Sequence, residues 1–334
     1  MDGNRFGRIG TVAALLLLAL PALHCAGDRA PSARVALVAK AMDSEFWYAL
    51  REGAEQAASE AGIRLSVLAP QREVYIHEQV NILEDQLVRG VDALIVAPAG
   101  VAQVIPVRDR AAQAGVPVLI VDTDIDWPHK SAYVGTDNRE GGRLAGRFIL
   151  DRLDGRGNVA LIRGIPGVAS QDHRVEGFLE VLQEARDIDL AANQSANSER
   201  ALAMNVMENI LSANPNLDAV FVTNDEMALG VVEAIAAHGL QDRLIVVGFD
   251  AGREAIEAIR NQRIHAVVAQ DPALMGRLSV EAAVRLLNGE RLEPFIDSGT
   301  ELVTEANVDD FIVRRAAGFR PSAPSAPVQE ASAP

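Results

Sequence analysis

Lys40, Asp122, Asn224, Asp225, Asp250 and Gln270 share a sequence context, each following a short apolar run such as Val-Ala-Leu-Val-Ala at 35–39, Val-Leu-Ile-Val at 118–121 or Val-Val-Gly-Phe at 246–249. Thr136, Asp137, Asn138 and Arg163 sit in comparable places. Together they offer carboxylates, cations and side-chain amides, whose charge-assisted hydrogen bonds are shorter and stronger than neutral ones. That set suits vicinal hydroxyls, which both donate and accept. A ring bearing such hydroxyls also has weakly apolar C–H faces, and an aromatic side chain can wall them. The adjacent pair Phe46 and Trp47 fits this role, because neighbours on a helix point different ways and only one need reach a ligand. Trp127 and Phe249 are further candidates.

Reaction chemistry finds little support. A dinucleotide enzyme needs G-x-G-x-x-G directly after its first strand, where this chain has Val-Ala-Lys-Ala-Met-Asp. The sequence has no Walker loop, G-x-S-x-G elbow, H-E-x-x-H or cysteine-rich metal site. Asp122 and Asp250 could in principle act as acid and base, and sequence does not separate that role from gripping hydroxyls. We expect no enzymatic activity, no cofactor and no metal.

Composition narrows the partners. The 334 residues carry a formal net charge of −15 and only 4% aromatics, whereas a nucleic-acid surface needs a positive field and stacking platforms. No nucleic acid is expected. Lysine occurs only at positions 40 and 130 among many arginines, which draws attention to Lys40. Near the N-terminus, Arg5 and Arg8 precede an apolar run at 11–20 and Pro21, the pattern of an export signal and too short for a spanning helix. The single cysteine, Cys25, ends this region in Ala22-Leu23-His24-Cys25, so it cannot form an internal disulfide. The segment resembles a lipoprotein processing site, with His24 departing from the small residue expected there. The expectations are a signal peptide at 1–25, lipidation and membrane anchoring at Cys25, a tether at 26–33, and a location in the periplasm or cell envelope. Residues 317–334, rich in Pro, Ser and Ala, are expected to be a disordered tail.

Positioning these side chains requires particular elements. Short β-branched runs alternate with helical periods from Arg34 onward, the signature of βαβ units. Strands are predicted near 34–39, 64–68, 92–97, 117–121 and 132–135, with helices near 45–61, 74–88 and 101–114. A second series follows a helix at 138–152, with strands near 158–162, 188–192, 218–222, 244–248 and 265–269. Its helices fall near 170–185, 198–213, 225–238 and 251–260, and another follows at 272–288. The strands read as nearly continuous apolar runs, as parallel sheets buried on both faces require. Ligands bind beyond the carboxyl ends of such strands, where the polar residues above cluster. The fold class is α/β, with two doubly wound, Rossmann-like parallel-sheet lobes joined by a hinge.

Four segments carry a resemblance: Gly-Thr-Asp-Asn-Arg-Glu-Gly-Gly-Arg-Leu-Ala-Gly at 135–146, Asn-Asp-Glu-Met-Ala-Leu-Gly at 224–230, Val-Val-Gly-Phe-Asp at 246–250 and Ala-Gln-Asp-Pro at 269–272. From about Arg34 to about Val313 the chain resembles the periplasmic binding proteins for ribose and related monosaccharides, of the type I periplasmic binding fold. The resemblance implies a first lobe of 34–137 plus 271–298 and a second of 138–270 plus 299–316. It implies a ligand held by Lys40, Phe46, Trp47, Asp122, Arg174, Asn224, Phe249, Asp250 and Gln270. Arg174 would bring a guanidinium, Asp122 the first-lobe carboxylate, and Asn224, Asp250 and Gln270 the second-lobe amide, carboxylate and hinge-proximal amide. It further implies a monomer that delivers a sugar or polyol to the membrane permease of an ABC importer. A sensor that presents a sugar or furanosyl signal to a chemoreceptor or receptor kinase would use the same clamp. Lys40, Ala97, Thr123 and Ser198 depart from the ribose binders, which carry there a small hydroxyl residue, an asparagine, an arginine and an aromatic. The ligand class therefore stays open among aldoses, deoxysugars, polyols and furanosyl signals.

Overall fold

The computed structural model describes residues 32–316, so the expected signal peptide, Cys25, most of the tether and the tail lie outside the described residues. The chain begins with β1 (Arg34–Val38), α1 (Glu45–Ala61), β2 (Arg64–Leu68), α2 (Ile76–Val88), β3 (Ala93–Val96), α3 (Val101–Gln113), β4 (Val118–Val121) and β5 (Ala132–Gly135). It continues with α4 (Asn138–Arg152), β6 (Arg156–Arg163), α5 (Ala169–Glu184), β7 (Asp187–Ser195), α6 (Arg200–Ala213), β8 (Ala219–Val222), α7 (Asp225–Ala237), β9 (Ile245–Asp250), α8 (Arg253–Arg260) and β10 (Ala266–Gln270). α9 (Pro272–Leu287), β11 (Phe295–Asp297), β12 (Thr300–Thr304) and α10 (Val308–Ala316) complete it.

The strands form two six-stranded sheets, ordered β11-β5-β4-β3-β1-β2 and β12-β10-β9-β8-β6-β7. Each has the doubly wound order in which the chain starts centrally and works outward both ways. Helices cover both faces. In the first lobe, Leu50 and Ala54 of α1 pack with Met275 and Val280 of α9 on one side, while Leu83 of α2 and Val104 and Val107 of α3 pack on the other. In the second, α6, α7 and α8 cover one face and α4 and α5 the other. Burial on both faces explains the runs Ala-Leu-Ile-Val in β3 and Ala-Val-Phe-Val in β8, in which every residue is buried.

Three details depart from the sequence reading. The outer strands β2 and β7 are largely exposed or half-buried, because an edge strand has only one neighbour to cover it. The second sheet is not wholly parallel either. β12 runs antiparallel to β10, from the pairing of Ala266 with Thr304 to that of Gln270 with Thr300. The short elements β11, β12 and α10 carry too few apolar positions to show a period and were not anticipated.

The chain passes between the sheets after β5, between β10 and α9, and between β11 and β12. Asp137 and Asp271 cap the helices that open two of these passages, accepting from the Glu140 N–H at 3.0 Å and the Leu274 N–H at 2.9 Å. Thr136 Oγ1 lies 3.4 Å from Ser298 Oγ, tying the first passage to the third.

Candidate ligand-binding site

The carboxyl ends of both sets of strands converge on a cavity of about 300 Å³, at the small end of the range for small-molecule sites. Lys40, Phe46, Trp47, Asp122, Arg174, Asn224 and Asp250 all line it. Gln270 and Phe249 stand behind this wall, and Trp127 is elsewhere. Trp127 lies 5% exposed in the first-lobe core, against the Arg108 guanidinium and donating to Asp109 Oδ1 at 3.0 Å, so it is no ligand wall.

On the first-lobe side, Lys40 Nζ lies 2.7 Å from Asp122 Oδ2 with both side chains buried. Thr123 Oγ1 lies 2.7 Å from Asp122 Oδ2 and 2.8 Å from Ser170 Oγ. A hydroxyl has one proton, so Thr123 donates to Asp122 and accepts from Ser170, which in turn accepts from Lys40 Nζ at 3.3 Å. Ser170 belongs to α5, in the second lobe, so this chain of bonds crosses the cleft. Trp47 and Phe46 meet edge to face at 5.0 Å, and Trp47 Nε1 donates to Glu73 Oε1 at 3.4 Å.

On the second-lobe side, Arg174 is held from three directions. Its Nε donates to Asn138 Oδ1 at 2.8 Å, and its Nη1 donates to the Thr223 carbonyl at 2.7 Å and to Asp250 Oδ1 at 3.3 Å. Asp250 Oδ1 also accepts from Gln270 Nε2 at 2.6 Å, so Gln270 positions the carboxylate rather than facing the cavity. Arg174 comes this close because glycines bring α4 against α5. A methyl group on Gly142 would lie 2.1 Å from the Arg174 carbonyl oxygen, and one on Gly177 would lie 1.9 Å from that of Arg139. Asn224 caps α7, its Oδ1 accepting from the Met227 N–H at 2.9 Å, which leaves its amide nitrogen for the cavity. Asp122 and Asp250 hold φ of 63° and 93°, left-handed values that L-residues adopt at a cost. Strain of this kind concentrates at functional positions.

Burial pushes the Asp250 carboxyl upward, opposed by Arg174 and the Gln270 hydrogen bond. Burial, with Asp250 nearby, pushes Asp225 up to about 8. Glu73 is likewise raised by burial, with Lys40 pulling it down and Asp122 and Asp43 pushing it up.

Sequence reasoning did not find Asp43, Glu73, Ser170 or Gln171, all of which line the cavity, and it marked Ser198, which also lines it, only as a departure from an aromatic position. Glu73 follows β2 and Ser198 follows β7, so the strand-end rule would have reached them had it extended a few residues into the loops. Two ion pairs bridge the lobes at the rim, Arg72 with Glu199 and Glu45 with Arg253.

Residues 35–291 match the family model of the periplasmic binding protein domain. The chain belongs to this family. Among its relatives, the ribose import binding protein of Bacillus subtilis (strain 168) is 32% identical over 81% of this chain and 87% of its own length. A periplasmic solute-binding protein of an ABC transporter from Actinobacillus succinogenes 130z, solved with bound D-allose, is 32% identical. It superposes with a TM-score of 0.79 over 84% of this chain and all of its own. A carbohydrate transporter solute-binding protein from Agrobacterium radiobacter, in complex with D-arabinose, is 28% identical. Its TM-score is 0.81, over 85% of this chain and 98% of its own.

Proposed function

We propose that this periplasmic binding protein captures a monosaccharide or related polyol between its lobes, outside the cytoplasm, and delivers it to the permease of an ABC importer without altering it. The observation that carries this reading is the cavity on which charged and amide groups from the strand ends of both sheets converge beside the Phe46–Trp47 pair. The ligands named for the relatives, ribose, D-allose and D-arabinose, agree with it.

In this reading Asp122, Lys40, Arg174, Asn224 and Asp250 bond ligand hydroxyls, Trp47 and Phe46 cover the ring, and Gln270 and Phe249 hold Asp250 and Arg174 in place. The lobes, 34–137 plus 271–298 and 138–270 plus 299–316, move as bodies about the three passages. Closure strips water from the buried groups, and each left unpaired costs about 1 to 3 kcal/mol. Ligand makes good those bonds only in the closed form, which is how it shifts the equilibrium. Acylation of Cys25 would tether the clamp to the membrane.

A thermal-shift screen of monosaccharides and polyols tests the reading, since a ligand bound only by the folded state raises the melting temperature. At least one should stabilise the parent, and Asp122→Asn and Arg174→Ala should lose the response while remaining folded. If both variants respond like the parent, or no sugar or polyol binds, the reading is wrong.

A further inference from the structure

The charges around the cavity do not balance. Its lining cations are Lys40, Arg72, Arg174 and Arg200. Each is already in an ion pair with a lining carboxylate: Asp122 at 2.7 Å, Glu199, Asp250 at 3.3 Å and Glu226 at 3.0 Å, respectively. Asp43, Glu73 and Asp225 also line the cavity, and among the described residues none of them joins an ion pair. Asp225 accepts from the Gly252 backbone N–H at 2.8 Å, and Glu73 accepts only the long 3.4 Å bond from Trp47. Glu73 is partly buried beside Lys40, whose ammonium Asp122 already holds.

A neutral polyol can donate hydroxyl protons to such carboxylates but cannot cancel their charge. Inside a closed, poorly solvated cavity a carboxylate must gain either a proton or a cation. The surroundings of Glu73 favour a cation. Asp43 adds a second carboxyl near enough to raise it, and the indole of Trp47 donates to it from the neighbouring wall. Trp47 turns its N–H edge to Glu73, and the Lys40 ammonium already lies 5.7 Å from the Trp47 ring centroid, so an added ammonium would be held at Glu73 by charge and hydrogen bonding rather than by the ring face.

Resting on the reading above, we propose that the ligand is an amine-bearing polyol, an amino sugar or aminocyclitol, whose ammonium sits against Glu73, with Asp43 toward the mouth, while its hydroxyls meet Asp122, Arg174, Asn224 and Asp250. Glu73 is then the residue that selects an amine over a hydroxyl. Lys40, held by Asp122 and Ser170, borders the same space and excludes a cation from the Asp122 side.

Calorimetric titration of the folded protein at pH 7 tests this with matched pairs: aldoses and inositols, each beside the analogue in which one hydroxyl is replaced by an amine, and the N-acetylated form of each amine. In at least one pair the amine should bind 10-fold or more tightly than its hydroxyl partner, and acetylation should remove that advantage. Glu73→Gln, nearly the same shape, should weaken the amine 10-fold or more and change the hydroxyl partner less than about 3-fold. The proposal is overturned if every pair that binds favours the hydroxyl member, or if Glu73→Gln weakens both members equally; either result leaves sugar binding intact. If no member of any pair binds, the sugar-binding reading falls with it.

Discussion

Arg174 lies over the ring of Phe249, its guanidinium carbon 3.7 Å from the centroid, with both side chains essentially out of solvent. A desolvated contact of this type is worth about 2 kcal/mol to the folded chain, with or without ligand. Phe249→Leu should therefore cost about that much in denaturant unfolding and, by loosening the guanidinium, also weaken ligand binding measured by calorimetry. Unchanged affinity would mean that Asn138 and Thr223 place the guanidinium without the ring.

Lys40 and Asp122 form a buried pair, and removing one member strands the other. Lys40→Met should cost about 3 to 5 kcal/mol in denaturant unfolding. Adding Asp122→Asn should restore most of that stability, because the amide keeps an oxygen for Thr123 and no lone charge remains. The double variant should still fail to bind, which separates the pair's role in folding from its role in recognition.

The cavity-facing strand ends were legible in the sequence because a parallel sheet fixes them. A polar residue directly after an apolar run has one place to go, and Lys40, Asp122, Asn224 and Asp250 all reach the cavity. Orientation was not legible. Phe249 and Asp250 are neighbours in one strand, and alternation sends one side chain into the core and the other to the cavity. Trp127 follows β4 in a loop whose path no local pattern reveals, and packing against Arg108 decides it. Glu73 was missed for a related reason, since it lies several residues into a loop where periodicity carries no information.

Asp225 ionises near pH 8 in the folded chain and near 3.9 in the unfolded one. Between those values the folded state holds more protons, so stability falls as pH rises. The favourable contribution is complete below about pH 4 and is lost as pH climbs through 8. Asp225→Asn should flatten this part of the curve, read as the difference between parent and variant in denaturant unfolding at pH 5 to 9. An unchanged slope would place the titration elsewhere.

Glu45 reaches across the cleft to α8. Its carboxylate accepts from the Arg253 backbone N–H at 2.6 Å, at the helix N-terminus, and from Arg253 Nη2 at 2.7 Å. Such an exposed contact is worth at most about 1 kcal/mol, and in the proposed closure only the closed form makes it. Glu45→Gln should raise the dissociation constant about 2- to 5-fold, with less salt dependence than the parent. Small-angle scattering of the unliganded variant should show a larger radius of gyration.

Because the chain crosses three times, neither lobe is a continuous stretch of sequence. α1 packs so tightly on α9 that a methyl group on Gly276 would lie 1.9 Å from the Leu50 carbonyl oxygen, and β11 closes the edge of the first sheet. A nascent chain that has just finished β5 thus lacks one helix of its first core and the strand that should flank it. The first sheet is complete only once Asp297 is present, and contacts spanning so much sequence form slowly. The stability of the first half is thus set by residues that lie more than a hundred positions beyond its other strands.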